Sequence, residues 1–404
     1  MKRLGFLLGS AAALAFAIPL GSIGCATTDD AREPPPETSR VPDGGEDAGA
    51  LDSSLDDAGC DPSDPDCAPA PVSCDDVPWC PVSTGVANIY LLTKVWGTSK
   101  DDVWAVGSGG TVIHWNGSAW SPSVIPPSPA EMKNTFFAVG GTGANDVWVA
   151  STTSSIFHND GSGWTLLESP APKGYELPVF SIWTDGLEAI RLGTRSFEYV
   201  VNTPNGSLWL TGNQFANATV KPDKRKVAWE PQLGTATVVG YYGTADDLWL
   251  IGDNSTFKPW QRALTMHGVR AKGGELEWTE VESNALPKLH AIWGSNAEDI
   301  WAVGDQGILR RMRPGQSSWE VVPSPTNESL FAVWGTSASD VWAAGENGTI
   351  LHFDGTTWSP EQAAYPAGKK KPNLTGIWGS GPEDVWIVGG TLALHFTGKK
   401  EGSK

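Results

Sequence analysis

Histidine and cysteine are the residues here whose types and spacing could do chemistry. Of the six histidines, His114, His158, His267, His352 and His395 each fall near the end of the third short apolar run of a repeating stretch. A metal would need several of them within about 2.0–2.3 Å of one ion. Equivalent third-strand positions in neighbouring sheets stand on the order of 10 Å or more apart, since strands are spaced about 4.8 Å. These five therefore do not share a metal, and their repetition implies a structural bond to the adjacent turn. His290 lies instead on a first run, where packing is the simpler role.

Acidic residues recur just before the second run. Asp101-Asp102, Asp246-Asp247, Glu298-Asp299 and Glu383-Asp384 are paired, while Asp146 and Asp340 stand alone. Each precedes Val, Leu or Ile and then Trp. No single loop has enough carboxylates for calcium, so the expected role is to accept backbone N–H bonds and fix the turn.

Catalytic patterns are missing. There is no Gly-x-Ser-x-Gly elbow and no phosphate-binding glycine loop. A retaining glycosidase needs two carboxylates about 5 Å apart; Glu346 and Asp305 could meet near an axis, as acidic residues can in many ring-shaped folds. Arg191, Arg195, Arg225, Arg262, Arg270, Arg310, Arg311 and Arg313 are spread over several units. The reading is no catalytic residue, no metal and no cofactor.

The elements that would position these groups are plain in the sixth unit. Leu330-Phe331-Ala332-Val333-Trp334-Gly335 is an apolar run, and Val341-Trp342-Ala343-Ala344-Gly345 is a second. Thr349-Ile350-Leu351-His352-Phe353 is a third, and Asp354-Gly355 turns into Thr357-Trp358-Ser359. Four short strands in about 44 residues make one blade of a propeller. The second-strand Trp recurs at Trp104, Trp148, Trp249, Trp301, Trp342 and Trp386, and Ile190 takes that place in a degenerate third unit. The expected fold is therefore all-β: a seven-bladed β-propeller of four-stranded blades. Residues two before the first-strand Trp are small (Ala138, Ser181, Gly240, Ala291, Ala332, Gly376), as if to let a neighbouring Trp approach the backbone; Lys94 breaks the pattern.

The Asp-Gly-x-x-Trp hairpin and Val-Trp-Ala-Val-Gly strand resemble bacterial neuraminidase (Asp-box) repeats, over about residues 88–404. The resemblance implies a propeller and makes the box a structural turn, so it implies no catalysis. The family's Arg-Ile-Pro motif is absent.

The N-terminus carries Lys2 and Arg3, an apolar stretch from Leu4 to Leu20, then Gly24-Cys25. This is an export signal, and Gly-Cys resembles a bacterial lipoprotein signal with Cys25 lipidated, although Ser22 stands where Leu is usual. Ordinary cleavage and secretion is the alternative. Ala26 after the cysteine points to the outer membrane rather than the inner. Residues 26–73 form an acidic linker rich in Pro, Asp and Gly, too poor in apolar residues to fold. Residues 26–87 hold 15 Asp/Glu against Arg32 and Arg40, much of the formal net charge of −18. That acidity argues against nucleic acid. Cys60, Cys67, Cys74 and Cys80 read as two disulfides in an oxidising compartment, with connectivity open; four-thiolate zinc is the rival.

The propeller spans residues 74–404, and its seventh unit lacks a fourth strand. The segment near 77–82, with Trp79 placed before a Pro as Trp358 is, is expected to cross over and close the ring. Ligands would meet the loops at the mouth, including Asp253, Asn254, Asp305, Gln306, Glu346 and Asn347. The functional expectation is a monomeric, exported, membrane-anchored binding or scaffolding module for a protein or a surface glycan. A sialidase-like hydrolase or lyase, and a purely structural surface protein, are the alternatives.

Overall fold

The structure is a computed structural model. It describes residues 72–127, 134–153, 155–167, 178–184, 189–194, 198–203, 206–211, 218–219, 226–228, 236–254, 260, 262–274, 276–296, 299–366, 369–396 and 398. The signal segment, Cys25, Cys60, Cys67, the linker through residue 71, Arg195, Arg225 and Glu298 lie outside them.

Short apolar runs separated by Asp, Asn and Gly turns leave the chain little choice but repeated antiparallel hairpins, and that is what forms. In the first blade, strands Leu92–Ser99, Asp102–Gly107, Val112–Trp115 and Trp120–Pro122 pair in sequence order. The same meander recurs over residues 136–167, 237–280, 289–322 and 330–360. Each second strand is buried along nearly its whole length, as in Asp340–Gly345. Both of its faces press on neighbouring blades, which is why these strands are apolar throughout instead of alternating.

The last blade is completed from the other end of the propeller. Gly376–Gly381, Asp384–Gly389 and Leu392–Phe396 supply three strands, and Trp79–Val82 adds the outermost one antiparallel, with Trp79 opposite Phe396. Trp79 is fully buried and meets Trp342 edge-on at 5.2 Å between ring centres. Trp104–Trp164, Trp301–Trp358, Trp249–Trp319 and Trp386–Trp120 make the same contact, from a second strand to the next blade's outer Trp. Trp79 thus occupies the place that outer-strand tryptophans fill elsewhere. Cys74 is disulfide-bonded to Cys80 at the head of this strand.

Six blades are regular, not seven. At the expected third unit, Val179–Thr184 and Ala189–Thr194 pair as an inner hairpin, but the next strand, Lys226–Ala228, runs parallel to Ala189–Thr194, with Ala218–Thr219 outside it. Between them, Glu198–Thr203 and Gly206–Thr211 form a separate two-stranded sheet. This stretch has neither the second-strand Trp nor the pairing of an Asp with His or Arg that fixes the turn in the other blades, so nothing local enforces the meander. The hairpin still fills the gap: Val179–Thr184 packs between Phe136–Gly143 and Thr237–Gly243, and Gly376–Gly381 packs back on Leu92–Ser99.

The small-residue expectation needs correction. A neighbouring Trp does reach bare backbone, but at the glycine that follows the first-strand Trp. A Cβ on Gly97, Gly335 or Gly379 would lie 2.5–2.8 Å from the ring of Trp378, Trp293 or Trp334 of the preceding blade. The position two before that Trp meets the next blade's inner strand instead. There a Cβ on Gly376 would meet the backbone of Lys94 and Val95 at 2.9 Å. Small residues at this position let inner strands converge on a narrow channel.

Candidate functional site

Two ends of the ring have different chemistry. At one end the conspicuous histidines are consumed in the architecture. His114, His158, His267, His352 and His395 each place Nε2 at 2.6–2.9 Å from the Asp that opens the second strand: Asp102, Asp146, Asp247, Asp340 and Asp384. Each ring stacks on the second-strand Trp, at 4.1 Å for His114 on Trp104 and 3.9 Å for His395 on Trp386. Thr98, Thr142 and Ser380 donate to the second oxygen of the same carboxylates. The turn role expected for these Asp residues is thus filled chiefly through side chains. Burial raises the Asp340 carboxyl, but hydrogen bonds from His352 and Thr336 outweigh it and hold it below the usual range. In the fifth blade Arg311 takes the histidine's place, gripping Asp299 at 2.7 and 3.0 Å while its guanidinium lies 4.8 Å from the Trp301 ring centre. The register that puts His352 opposite Trp342 puts Arg311 opposite Trp301. Alignment of the units by their Trp would have found it.

Asp354 is likewise structural, accepting the N–H groups of Thr356 and Thr357 at 2.8 Å, with Gly355 at φ 95°. The described arginines are similarly occupied and dispersed. Arg270 is held by Asp246, Arg310 by the Ser283, Asn284 and Leu309 carbonyls, and Arg313 by Glu320. Among the described residues no group of three His, Cys, Asp or Glu side chains is arranged to hold a metal.

The other end opens into a cavity of about 580 Å³ that narrows to a channel chamber of about 200 Å³. Phe137, Phe180, Phe331, Leu92 and Val239 wall the mouth, and Lys94, Lys288 and His290 are its basic groups. The chamber is lined by the inner strands, including Lys94, Ala138, Ser181, Gly240, Tyr241, Ala291, Ala332 and Gly376. Lys94 is therefore the charged exception in an otherwise small, neutral ring. Burial lowers its ammonium from 10.5 to about 8. Burial also lowers His290, outweighing its 2.6 Å bond to Asp305. Tyr241 is pushed up by burial, and its hydroxyl has no hydrogen-bond partner among the described residues.

The loop residues singled out in the sequence sit at this end but stand behind the walls. Asp253 holds Arg262 at 3.3 Å and lies 3.8 Å from Lys288, and Asp305 holds His290. The Asn254 N–H bonds to the Arg262 carbonyl. Glu346 accepts the Ser329 N–H, and Asn347 donates to Glu328. Gln306 and Asn347 take left-handed φ of 59° and 52° in tight turns. Asp305 and Glu346 are thus committed to different partners and do not form a carboxylate pair at the axis. Lys94 and the phenylalanines were missed as site residues; the Lys94 signal lay in its breaking of the small-residue pattern.

Fold and channel together define a β-propeller with an open, apolar mouth. Solved structures of low identity share that fold. YCF48 bound to D1 peptide is 15% identical with a TM-score of 0.58, over 83% of this chain and 100% of that one. YCF48 from Cyanidioschyzon merolae is 18% identical at 0.55, over 79% and 98%. Virginiamycin B lyase from Staphylococcus aureus is 15% identical at 0.54, over 80% and 99%. No protein-family model matches the chain, and no curated protein sequence does either.

Proposed function

We propose that this is an exported binding propeller without catalytic activity, tethered to the outer membrane through Cys25 on the residue 26–73 linker, whose mouth receives a segment of a partner protein. In this reading the irregular third unit still counts as a blade, giving a ring of seven, and Cys60 pairs with Cys67. The observation that carries the binding reading is the apolar mouth, together with exposed apolar residues on the connections at the same end, of which Leu91 lines the mouth itself. Ile89 is 79% exposed, Leu91 55%, Val124 89%, Trp260 71% and Leu286 68%. All five belong to connections that emerge at the mouth end. Large exposed apolar side chains beside an apolar cavity mark an interaction surface. A protein segment suits them better than a glycan, because the walls have few hydrogen-bonding groups to match sugar hydroxyls. That YCF48 has been solved with a peptide shows the fold compatible with such a ligand, and that another neighbour is a lyase shows the fold alone does not decide activity.

One experiment reads both halves of the proposal. The full chain, with a photo-crosslinking residue at Leu91 or Leu286, is expressed in a bacterium and the envelope is fractionated. The expected result is a discrete crosslinked protein in the outer-membrane fraction, lost when the crosslinker is moved to Val269 at the opposite end. Cys25→Ala should leave the membrane fraction. Crosslinks independent of position would refute the mouth, and a wild type found wholly in the soluble fraction would refute the anchor.

A further inference from the structure

We propose that the channel below the mouth is a binding site for a small amphiphilic carboxylic acid, its carboxylate paired with the Lys94 ammonium and its chain among the mouth phenylalanines. This goes beyond the partner-protein reading but shares its premise that the mouth is functional.

The first observation is an uncompensated charge. Of the three basic groups lining the mouth, Lys288 has Asp253 and His290 has Asp305. Lys94 has no carboxylate partner among the described residues. It stands in a chamber whose other lining side chains are uncharged apart from His290, which Asp305 holds. A cation taken from water and left unpaired is costly, and an arriving anion removes that cost. The second observation is the Tyr241 hydroxyl. It belongs to a residue that lines the same chamber, has no hydrogen-bond partner among the described residues, and is kept protonated by burial, which outweighs the opposing charge of Arg191. It is therefore a donor without an acceptor.

One ammonium and one hydroxyl suit a singly charged carboxylate. A phosphate carries more charge and more acceptor oxygens, and is met elsewhere by arginine forks or rows of backbone N–H groups, neither of which lines this chamber. The shape sets the rest of the ligand. Lys94, Phe137 and Phe180 line both the chamber and the wider cavity, while Phe331 and Leu92 line only the latter. An acid entering head first leaves its chain against these walls. The combined space is of the size that takes small molecules.

The charge state of Lys94 follows from what faces it. Tyr241 faces it from the fourth blade, and His290 with Lys288 from the fifth, with Asp305 and Asp253 behind them. The other inner strands contribute Phe137, Ala138, Phe180, Ser181, Ala332, Gly376 and other uncharged side chains. With its ammonium already eased toward loss of its proton, binding of an anion should weaken as pH rises through about 8 and beyond.

The probes are decanoate, decan-1-ol and a short peptide ending in a free apolar residue, each titrated calorimetrically into the full chain. Decanoate should bind at pH 7 at least about tenfold more tightly than decanol, about 1.4 kcal/mol. That advantage should vanish by pH 10, and in Lys94→Met with decanol binding unchanged. Tyr241→Phe should reduce it partially. In the wild type, an isotope-labelled dimethyl-lysine signal titrating near 8 should shift upward on adding decanoate, which keeps the test valid if a variant fails to fold. Equal binding of acid and alcohol would overturn the proposal, as would a preference that survives in Lys94→Met, or no decanoate binding at millimolar concentration. Binding of the peptide acid without decanoate would overturn it in favour of a polypeptide terminus. Position-specific crosslinking at Leu91 with no decanoate binding would leave the partner-protein reading standing alone.

Discussion

Lys94 carries an energetic cost that the fold tolerates. Lowered from 10.5 to about 8 by burial, it remains charged at pH 7 in both folded and unfolded chains, and only the folded chain bears the desolvation. A shift of that size corresponds to about 3–4 kcal/mol of lost stability, which the solvent that reaches the channel reduces to about 2–3 kcal/mol. The sign is definite. As pH rises from about 8 toward 10.5 the folded state releases its proton before the unfolded state does, so stability is regained. Lys94→Met should therefore be more stable than wild type at pH 7 by about this amount in urea unfolding, and the gap should close near pH 10.5. A constant gap, or a less stable variant, would mean that Lys94 is paired in solution. The other residue-scale chemistry was more legible. Five histidines at one repeat position could only be structural, because a ring keeps equivalent positions apart. Their aspartate partners lay in view, yet the pairing needed the strand register to be seen.

At the scale of strands, the working unit is a first-strand aromatic laid over the glycine of the next blade. Trp96 lies over Gly141, Trp293 over Gly335, Trp334 over Gly379 and Trp378 over Gly97, and Tyr242 lies over Gly294 in the same way. Glycine is needed there for closeness, since a Cβ would sit inside van der Waals contact. Gly379→Ala should cost about 1–3 kcal/mol, the usual penalty for overpacking. Gly381→Ala, whose Cβ would meet nothing within 4 Å, should leave the urea midpoint unchanged. Equal effects at the two sites would show that the Trp–Gly contact does not hold blades together. The Trp-Gly dipeptide was visible in the sequence. Which neighbour the ring reached was not, because that contact crosses between units, and a repeat read along one chain shows only what lies within each unit.

For the whole molecule, the decisive event is closure. The strand Trp79–Val82 covers the edge of Leu392–Phe396 that would otherwise be unpaired. Trp79 is buried among Trp342, Phe396 and Ala363. Removing a buried Trp alone costs about 3–5 kcal/mol. A chain beginning at Asn88 should therefore melt clearly below one beginning at Ser73, and Trp79→Ala in the longer chain should show most of that loss. Equal melting temperatures would mean that the strand is an accessory. The need for this strand was legible from a seventh unit that ends after Phe396 and a spare Trp–Pro segment before the first unit.

Period and strand order were thus determined by sequence alone, because they follow from local hydrogen bonding and the spacing of apolar residues, and the closing strand was legible because counting strands per unit leaves one blade short and one segment spare. The third unit escaped that logic. With Ile190 in place of Trp and an intervening hairpin at residues 198–211, its outer strands are set by pairing across sequence, including the parallel alignment of Lys226–Ala228. The channel escaped it too. How closely neighbouring inner strands approach at the position two before the Trp depends on how strongly they converge, and convergence belongs to the closed ring. Only there does one lysine among six small residues become a charge held in a narrow chamber.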